Sequence, residues 1–168
     1  MSNNKIYQWQ MVELNKEFKL AEINFPDLKE NEVLVKVAGC GVCHTDLSFW
    51  HYGVQTKHAL PLTLGHEISG TVVAGDSKWM NKAVIIPAVL PCGECELCKK
   101  GRSNICRNQL MPGNDLQGGF ASHIKVPATF LCPVPDSVLK KHPLEQLSVI
   151  ADAISTPYQV IKKSELEA

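Results

Sequence analysis

The sequence has no surplus of either charge, because 17 lysines and arginines balance 17 aspartates and glutamates. A neutral chain gives no electrostatic reason to expect a nucleic acid or an anionic membrane as its partner. It also lacks an apolar run of membrane-spanning length, and residues 1–17 are too polar for a signal peptide. We therefore expect a cytoplasmic protein.

A second absence concerns the glycine pattern that binds dinucleotides. Gly39 and Gly41 lack a third glycine, and Gly118 and Gly119 lead into a predicted strand. The fingerprint Gly-x-Gly-x-x-Gly between a strand and a helix is therefore missing, which excludes a Rossmann domain within this sequence. Internal repeats, low-complexity tracts and interdomain linkers are missing too, and 168 residues fit one domain.

Cysteine, in contrast, is abundant, with seven residues. In a reducing compartment an odd number of thiols favours metal ligands or buried thiols over disulfides. Within residues 91–107 the spacing is C-x2-C-x2-C-x7-C, formed by Cys92, Cys95, Cys98 and Cys106. Four thiolates fill a tetrahedral shell and predict a structural zinc. An iron–sulfur cluster, whose bacterial spacing ends in a shorter gap, and free thiols are the alternatives.

A second metal site is indicated by Cys43 and His66, which offer one thiolate and one imidazole. The 22 residues between them are too many for a finger-type knuckle, so the two ligands come from different elements. A catalytic zinc needs three protein ligands and an open position. The remaining cysteines, Cys40 and Cys132, are expected to be buried thiols.

The secondary structure is expected to be mainly β. Segments in which apolar and polar residues alternate, or which are rich in β-branched residues, predict strands. Apolar residues that recur three and four positions apart predict a helix. The predicted strands are Ile6–Val12, Phe18–Ile23, Glu32–Ala38, Ile68–Ala74, Ala83–Val89, Phe120–Val126 and Phe130–Val134. Three helices are predicted. The first is short, is capped by Thr45 or Asp46 and ends at Trp50. The second is Leu144–Ile154, which Pro157 should break, and the third is Tyr158–Leu166.

The motifs Gly41–Asp46 and Gly65–Glu67, together with the four-cysteine lobe, resemble the medium-chain zinc-dependent alcohol dehydrogenases over nearly the whole chain. The resemblance implies that residues 1–168 form the GroES-like catalytic domain, a partly open β-barrel with short helices and a zinc lobe. Residues 144–168 would lead toward the nucleotide-binding domain of that family. NAD would then be held by a domain or subunit outside this sequence, and homo-oligomerisation stays open.

The resemblance also assigns metal ligands. Cys43 and His66 would bind the catalytic zinc, and Asp152 stands where the family usually has a third, cysteine ligand. An aspartate on a helix surface is the alternative, although its apolar neighbours make an unpaired carboxylate costly. Glu67 would approach the metal from behind or bind it transiently, unless it forms a surface salt bridge. Asp46 would fix the imidazole of His66, unless it caps the helix.

Further roles follow from the same resemblance. Thr45 would accept the proton of the zinc-bound alcohol. The family often ends this proton relay with a histidine where this chain has Ser48, so water or His51 would take its place, with a surface position as the alternative for His51. His44 would contact the cofactor pyrophosphate, and Thr156 would lie near the nicotinamide.

The substrate prediction rests on the amino-acid sequences of three segments, Thr63–Gly75, Val84–Val89 and Ala151–Ala153. These segments are similar to 6-hydroxycyclohex-1-ene-1-carbonyl-CoA dehydrogenases. The similarity implies NAD-linked oxidation of a cyclic secondary alcohol carried on coenzyme A, during anaerobic degradation of aromatic compounds. The chain would be inactive without a nucleotide-binding domain. A non-catalytic zinc-binding β-barrel module, acting as a structural or interaction unit, is the alternative function.

Overall fold

The computed structural model describes residues 5–164, which form a mainly β fold with short helices. The strands are β1 Lys5–Met11, β2 Lys19–Asn24, β3 Glu32–Gly41, β4 Leu62–Thr63, β5 Glu67–Gly75, β6 Ala83–Ile86, β7 His123–Pro127 and β8 Cys132–Pro133. The α-helices are α1 His44–Trp50, α2 Glu96–Lys99, α3 Asp136–Leu139 and α4 Ser155–Lys163. Two 3-10 helices span Ser103–Ile105 and Leu144–Ala151.

The strands form two antiparallel sheets. One has three strands in the order β2-β1-β4, and the other has five in the order β7-β3-β5-β6-β8. An isolated bridge between Gln8 and Ala121 connects β1 to the segment before β7. Among residues 5–164, no helix is long and apolar enough to cross a membrane.

The core lies on one face of the larger sheet and is rich in β-branched side chains. Val33 and Val35 of β3 pack with Ile68 and Val72 of β5, and all four are fully buried. A smaller cluster of Met11, Phe49, Leu62 and Leu64 joins α1 to the three-stranded sheet. Burial of this apolar surface holds the two sheets and α1 together.

The pairing of β3 with β5 positions the candidate ligands. Gly41, the last residue of β3, lies opposite Glu67, the first residue of β5. Cys43 follows β3 by two residues and His66 precedes β5 by one, so the register brings the two ligands to the same end of the sheet. A Cβ on Gly41 would overlap the Glu67 carboxylate, which explains the glycine at this crossing.

The long strands were predicted within a few residues, but several short features were not. β6 ends at Ile86 instead of continuing to Val89, and β7 begins at His123 instead of Phe120. Before β7, the N–H groups of Gly118 and Gly119 donate hydrogen bonds of 2.7 and 2.8 Å to the carbonyls of Thr63 and Gly65. This close approach leaves no room for a Cβ on Gly119, which would lie 2.5 Å from a side-chain carbon of Ile68.

Three helix predictions need correction. Residues Leu144–Ala151 form a 3-10 helix and not an α-helix, and they pack against strands β3 and β5. The break between the two predicted helices lies at Asp152–Ile154 and not at Pro157. Pro157 lies within the first turn of α4, where a residue has no intrahelical partner for its N–H. The N-cap of α1 is Cys43 and not Thr45 or Asp46. The predicted end at Leu166 lies outside the described residues.

Candidate metal centres

The four cysteines of the lobe converge on one point. The Sγ atoms of Cys95 and Cys98 are 3.5 Å apart, those of Cys95 and Cys106 3.8 Å, and those of Cys92 and Cys106 3.5 Å. A tetrahedral zinc with Zn–S bonds of about 2.3 Å requires sulfur atoms about 3.8 Å apart. The spacing therefore fits a zinc ion, and none of these cysteines forms a disulfide.

The electrostatics of the lobe also favour a cation. The backbone amide of Cys98 lowers the pKa of Cys95 to about 6, and the amides of Glu94 and Cys95 lower the pKa of Cys92. Desolvation and the neighbouring cysteines raise the pKa of Cys98 to about 12. These surroundings favour the thiolate form at Cys95 and Cys92 and disfavour it at Cys98, where binding of a metal ion would displace the proton.

The second group contains Cys43, His66, Glu67 and Asp152, which offer ligand atoms that all lie within 4.8 Å of one another. Three elements contribute to it: Cys43 at the start of α1, His66 and Glu67 where β5 begins, and Asp152 at the end of the 3-10 helix. The Nε2 atom of His66 is 3.4 Å from Oδ2 of Asp152. The structure therefore brings together all three predicted ligands and Glu67.

His66 is buried, with 1% of its surface exposed, and neither ring nitrogen has a hydrogen-bond partner among residues 5–164. An unpaired buried polar atom is unfavourable unless another group, such as a metal ion, satisfies it. Burial by itself lowers the pKa of His66, but the Asp46 carboxylate and the Cys43 thiol raise it to about 9. The pocket around the imidazole therefore has a negative potential, which fits a bound cation.

Asp46 fixes both ligand-bearing segments through the backbone. Its Oδ2 accepts the N–H of Cys43 at 2.9 Å, and its Oδ1 accepts the N–H of Gly65 at 3.0 Å. The first contact is the capping interaction that the sequence offered as one alternative. The other alternative was a hydrogen bond that fixes the imidazole of His66. Oδ1 of Asp46 lies 3.8 Å from Nδ1 of His66, which is too long for a hydrogen bond.

Glu67 holds the third ligand segment from the opposite side. It is buried, and its Oε1 accepts the backbone N–H of Ala153 at 3.1 Å. Ser69, two residues further along β5, donates its hydroxyl to the carbonyl of Leu144 at 2.6 Å. Both ends of the 3-10 helix are therefore tied to β5, which places Asp152 beside His66. Nothing in the local sequence indicated these two contacts.

The predicted proton-relay residues lie on α1 or just after it. The hydroxyl of Thr45 is 3.7 Å from Sγ of Cys43, which places it beside the metal group. Ser48 donates its hydroxyl to the carbonyl of His44 at 3.0 Å. His51 is paired with the side chain of Asn15 and packs against Tyr52. Thr45 is thus near the candidate metal, whereas Ser48 and His51 have partners elsewhere.

The two predicted cofactor-binding residues are both exposed. His44 contacts the ring of Tyr52, with 6.0 Å between the ring centroids. Thr156, in the first turn of α4, donates its hydroxyl to Oδ1 of Asp152. The structure therefore connects Thr156 directly to the proposed third metal ligand.

A cavity of about 560 Å³ opens beside the metal group. His66, Asp152 and Thr156 line one part of it. The rest of the wall is formed by Pro87, Ala88, Val89, Asn104, Met111, Ala151, Ser155, Gln159, Val160 and Lys163. Sequence analysis did not identify this wall, because Pro87–Val89 were assigned to a strand that ends at Ile86.

Another cavity, of about 630 Å³, lies among aromatic side chains including Trp9, Phe18 and Trp50. Asp46 lines it, but none of the four residues of the Cys43–His66 group does. The cavity beside Asp152 is therefore the one that adjoins the Cys43–His66 group.

The two remaining cysteines differ in environment. Burial, followed by the charge of Asp46, raises the pKa of Cys40 to about 12. Cys40 is half-buried rather than fully buried, and the raised pKa disfavours its thiolate form. Cys132 is exposed in β8, so the prediction that it is buried was wrong. The two-residue length of β8, at the edge of the sheet, leaves that side chain uncovered.

Comparison with known proteins identifies related sequences. The family model described as the alcohol dehydrogenase GroES-like domain matches residues 29–136. An alcohol dehydrogenase from Geobacillus stearothermophilus is 38% identical over 157 residues, covering 90% of this chain and 45% of that protein. A D-arabinose 1-dehydrogenase (NADP(+)) from Saccharolobus solfataricus is 38% identical over 112 residues, covering 64% of this chain and 32% of that protein. The chain thus spans less than half the length of these relatives.

Solved structures agree with this result. The alcohol dehydrogenase from Aeropyrum pernix superposes with a TM-score of 0.81 and 29% identity, over 94% of this chain and 48% of that one. A cobalt- and zinc-bound thermostable alcohol dehydrogenase from Pyrobaculum aerophilum gives a TM-score of 0.82 at 22% identity, over 97% of this chain and 50% of that one. At that identity the second likeness shows the fold alone.

Proposed function

Because the chain belongs to the medium-chain zinc alcohol dehydrogenase family, as a GroES-like catalytic domain, we propose that it oxidises a cyclic secondary alcohol with NAD. The proposed substrate is 6-hydroxycyclohex-1-ene-1-carbonyl-CoA, an intermediate in anaerobic degradation of aromatic compounds. The reaction is expected in the cytoplasm. A nucleotide-binding domain or subunit would supply NAD, and the chain alone would be inactive.

The observation that carries this proposal is the convergence of Cys43, His66, Glu67 and Asp152 within 4.8 Å, beside a cavity. Cys43, His66 and Asp152 supply one sulfur, one nitrogen and one oxygen ligand, a donor set that suits zinc. The four-cysteine lobe has no open position and would hold a structural zinc. Only the first site can therefore take part in the reaction.

Zinc bound by Cys43, His66 and Asp152 would supply a Lewis acid that polarises the alcohol oxygen. The Thr45 hydroxyl, beside Cys43, would accept the alcohol proton and pass it on through water or toward His51, since Ser48 stands where the family often has the relay histidine. Glu67 holds the backbone of the Asp152 segment from behind. The hydride would pass from the carbinol carbon to the nicotinamide beside Thr156, and His44 would contact the pyrophosphate.

The proposed substrate class is supported by the cavity. Its wall beside His66 is apolar, with Pro87, Ala88, Val89 and Met111, which suits a carbocyclic ring. Lys163 lines the same cavity and offers a positive charge to the phosphates of a coenzyme A thioester. The apolar residues and the lysine among those that line this cavity match a ring attached to an anionic carrier.

The test combines metal analysis with turnover. We expect two zinc ions per wild-type chain and one in Asp152→Asn, with the four-cysteine ion retained. A nucleotide-binding half from a related dehydrogenase is then added with NAD, and NADH formation is measured with the cyclic CoA thioester, cyclohexanol and a linear primary alcohol. Turnover should require the added half and favour the cyclic CoA thioester.

Each component of the proposal can fail separately. Preference for the linear alcohol would overturn the substrate proposal alone. Equal metal loss from both sites in Asp152→Asn, or from neither, would contradict the ligand assignment. One zinc per wild-type chain, on the four cysteines, with no turnover under any condition would support the non-catalytic zinc module.

A further inference from the structure

The carboxylate of Asp152 has two oxygens with different surroundings. Oδ2 faces Nε2 of His66 at 3.4 Å, within the metal group. Oδ1 accepts the hydroxyl of Thr156, one helical turn further along the chain. The backbone N–H of Thr156 also donates to the carbonyl of Asp152 at 2.9 Å. Thr156 therefore contacts Asp152 through both its side chain and its backbone.

We propose that Thr156 is a positioning residue that presents a single oxygen of Asp152 to the catalytic metal. The proposal rests on the proposed function, in which Asp152 is the third zinc ligand. With Oδ1 occupied by the Thr156 hydroxyl, Oδ2 alone is directed toward His66. The carboxylate then binds through one oxygen, which preserves an open position for the substrate.

The side chain of Asp152 lies at the wall of the cavity, where a hydrogen bond can select its orientation. Its side chain is 28% exposed at the cavity wall. The torsion that orients a carboxylate is broad, so the two oxygens exchange easily without an additional contact. The Glu67 contact to Ala153 fixes the backbone of this segment but not the carboxylate itself. Thr156 provides the hydrogen bond that selects one orientation.

Threonine is well suited to this position. Its branched Cβ restricts the side chain to few rotamers in a helix, and a hydroxyl in the first turn of α4 points back toward the preceding segment. A hydrogen bond from a hydroxyl to an ionised carboxylate is also stronger than one between neutral groups. Loss of an outer partner of this kind typically weakens metal binding by about 10- to 100-fold.

Cobalt(II) titration of the metal-free chain tests the proposal, with absorption spectroscopy as the readout. Thr156→Val removes the hydroxyl and keeps the branched shape. We expect it to weaken cobalt binding at the Cys43–His66–Asp152 site by about 10- to 100-fold and to change the d–d absorption of that site. Thr156→Ser should restore both properties. The four-cysteine site, with its thiolate charge-transfer bands, serves as an internal reference.

Ser155→Ala is the matched control, because Ser155 is exposed, adjacent on α4, and donates to the carbonyl of Ala151 instead. It should leave both cobalt sites unchanged. Asp152→Asn is titrated in parallel. If Asp152→Asn retains the second cobalt ion, the ligand assignment in the proposed function fails. If Asp152→Asn loses it while Thr156→Val keeps wild-type affinity and spectrum, only the positioning role is overturned.

A folding defect is distinguished by the same titration and by circular dichroism. Thr156→Val should show wild-type circular dichroism and wild-type binding at the four cysteines. If that variant is disordered, Thr156→Ala replaces it, since alanine is well tolerated in a helix. Retention of both cobalt sites in a folded Thr156→Ala would overturn the proposal equally.

Discussion

Asp46 uses both oxygens of one buried carboxylate to hold two segments that carry metal ligands. One oxygen accepts the N–H of Cys43 and the other that of Gly65, the residue before His66. From the sequence, capping of the helix and fixing of the His66 imidazole were alternatives for this residue. The structure shows that the capping contact itself supports the site, because the capped residue is a proposed ligand.

We predict that Asp46→Ala lowers the free energy of unfolding by about 2–4 kcal/mol, because two buried backbone N–H groups lose a charged acceptor. Asp46→Asn should lose about 1–2 kcal/mol, since its amide oxygen can still accept one of them. Urea unfolding of the zinc-loaded variants measures both values. Both substitutions should also weaken zinc binding at the Cys43–His66 site.

Asp115→Asn provides the control. Asp115 also accepts a backbone N–H, that of Met111 at 2.9 Å, and is mostly buried, but it belongs to neither cysteine-containing metal group. It should reduce stability without weakening the Cys43–His66 site. Equal effects of Asp46→Asn and Asp115→Asn on zinc affinity would show that the Asp46 effect is general destabilisation.

The segment Leu144–Ala151 shows where local sequence patterns are insufficient. Apolar residues spaced by three and four predict an α-helix, but this spacing is also compatible with a 3-10 helix. What decides between them is contact with the sheet: Ser69 holds the carbonyl of Leu144, and Gly39 lies directly beneath Glu145. Both partners are distant in sequence, so tertiary packing determines the helix type.

Strands, in contrast, follow closely from local composition. β3 contains Val33, Val35 and Val37, and the prediction located it with only its end misplaced. Its final residues, Gly39–Gly41, are glycine-rich, so local propensity disfavours a strand there. They are nevertheless extended because they pair with Glu67–Ser69 of β5. This extension carries Cys43 to the metal site.

Gly39→Ala tests the contact between β3 and the 3-10 helix. A Cβ at this position would lie 2.9 Å from the carbonyl carbon and the Cα of Glu145. These are backbone atoms, so the 3-10 helix must move away from the sheet. We predict a loss of about 1–3 kcal/mol in urea unfolding, typical of overpacking. Zinc binding at the Asp152 site should weaken as well, because Asp152 ends this helix.

Gly53→Ala is the comparison for this element. Gly53 has a φ of +71° and its nearest neighbour would be a carbon of Leu14 at 3.6 Å, so only backbone strain is introduced. The expected loss is about 1 kcal/mol, with unchanged zinc binding. If Gly39→Ala leaves zinc affinity at wild-type level, the 3-10 helix does not control the position of Asp152.

At the scale of the whole molecule, the two metal groups differ in how they are assembled. The four cysteines lie within one short lobe, and their spacing alone predicted them. Cys43, His66 and Asp152 come from three distant segments, and the spacing of the first two indicated only that they must meet. Asp152 was predicted through the family resemblance, whereas the cavity wall and the Glu67–Ala153 contact depend on tertiary structure.

This difference determines how metal removal should affect stability. A site formed by distant segments exists only in the folded chain, so zinc bound there stabilises the fold by mass action, by about 2.7 kcal/mol at 100 times the dissociation constant. We predict that a mild chelator removes the zinc of the Cys43–His66–Asp152 site first, because this site has one thiolate instead of four. The melting temperature should then fall in a first step, and removal of the lobe zinc should lower it again.

Asp152→Asn separates the two steps. Its melting temperature should match that of wild-type chain treated with the mild chelator, and added zinc should not raise it. Zinc analysis at each step verifies which site is empty. A wild-type chain that loses the first zinc without any change in melting temperature would show that the three ligand segments are held by Asp46, Glu67 and Ser69 alone. The metal would then serve the reaction without contributing to the stability of the fold.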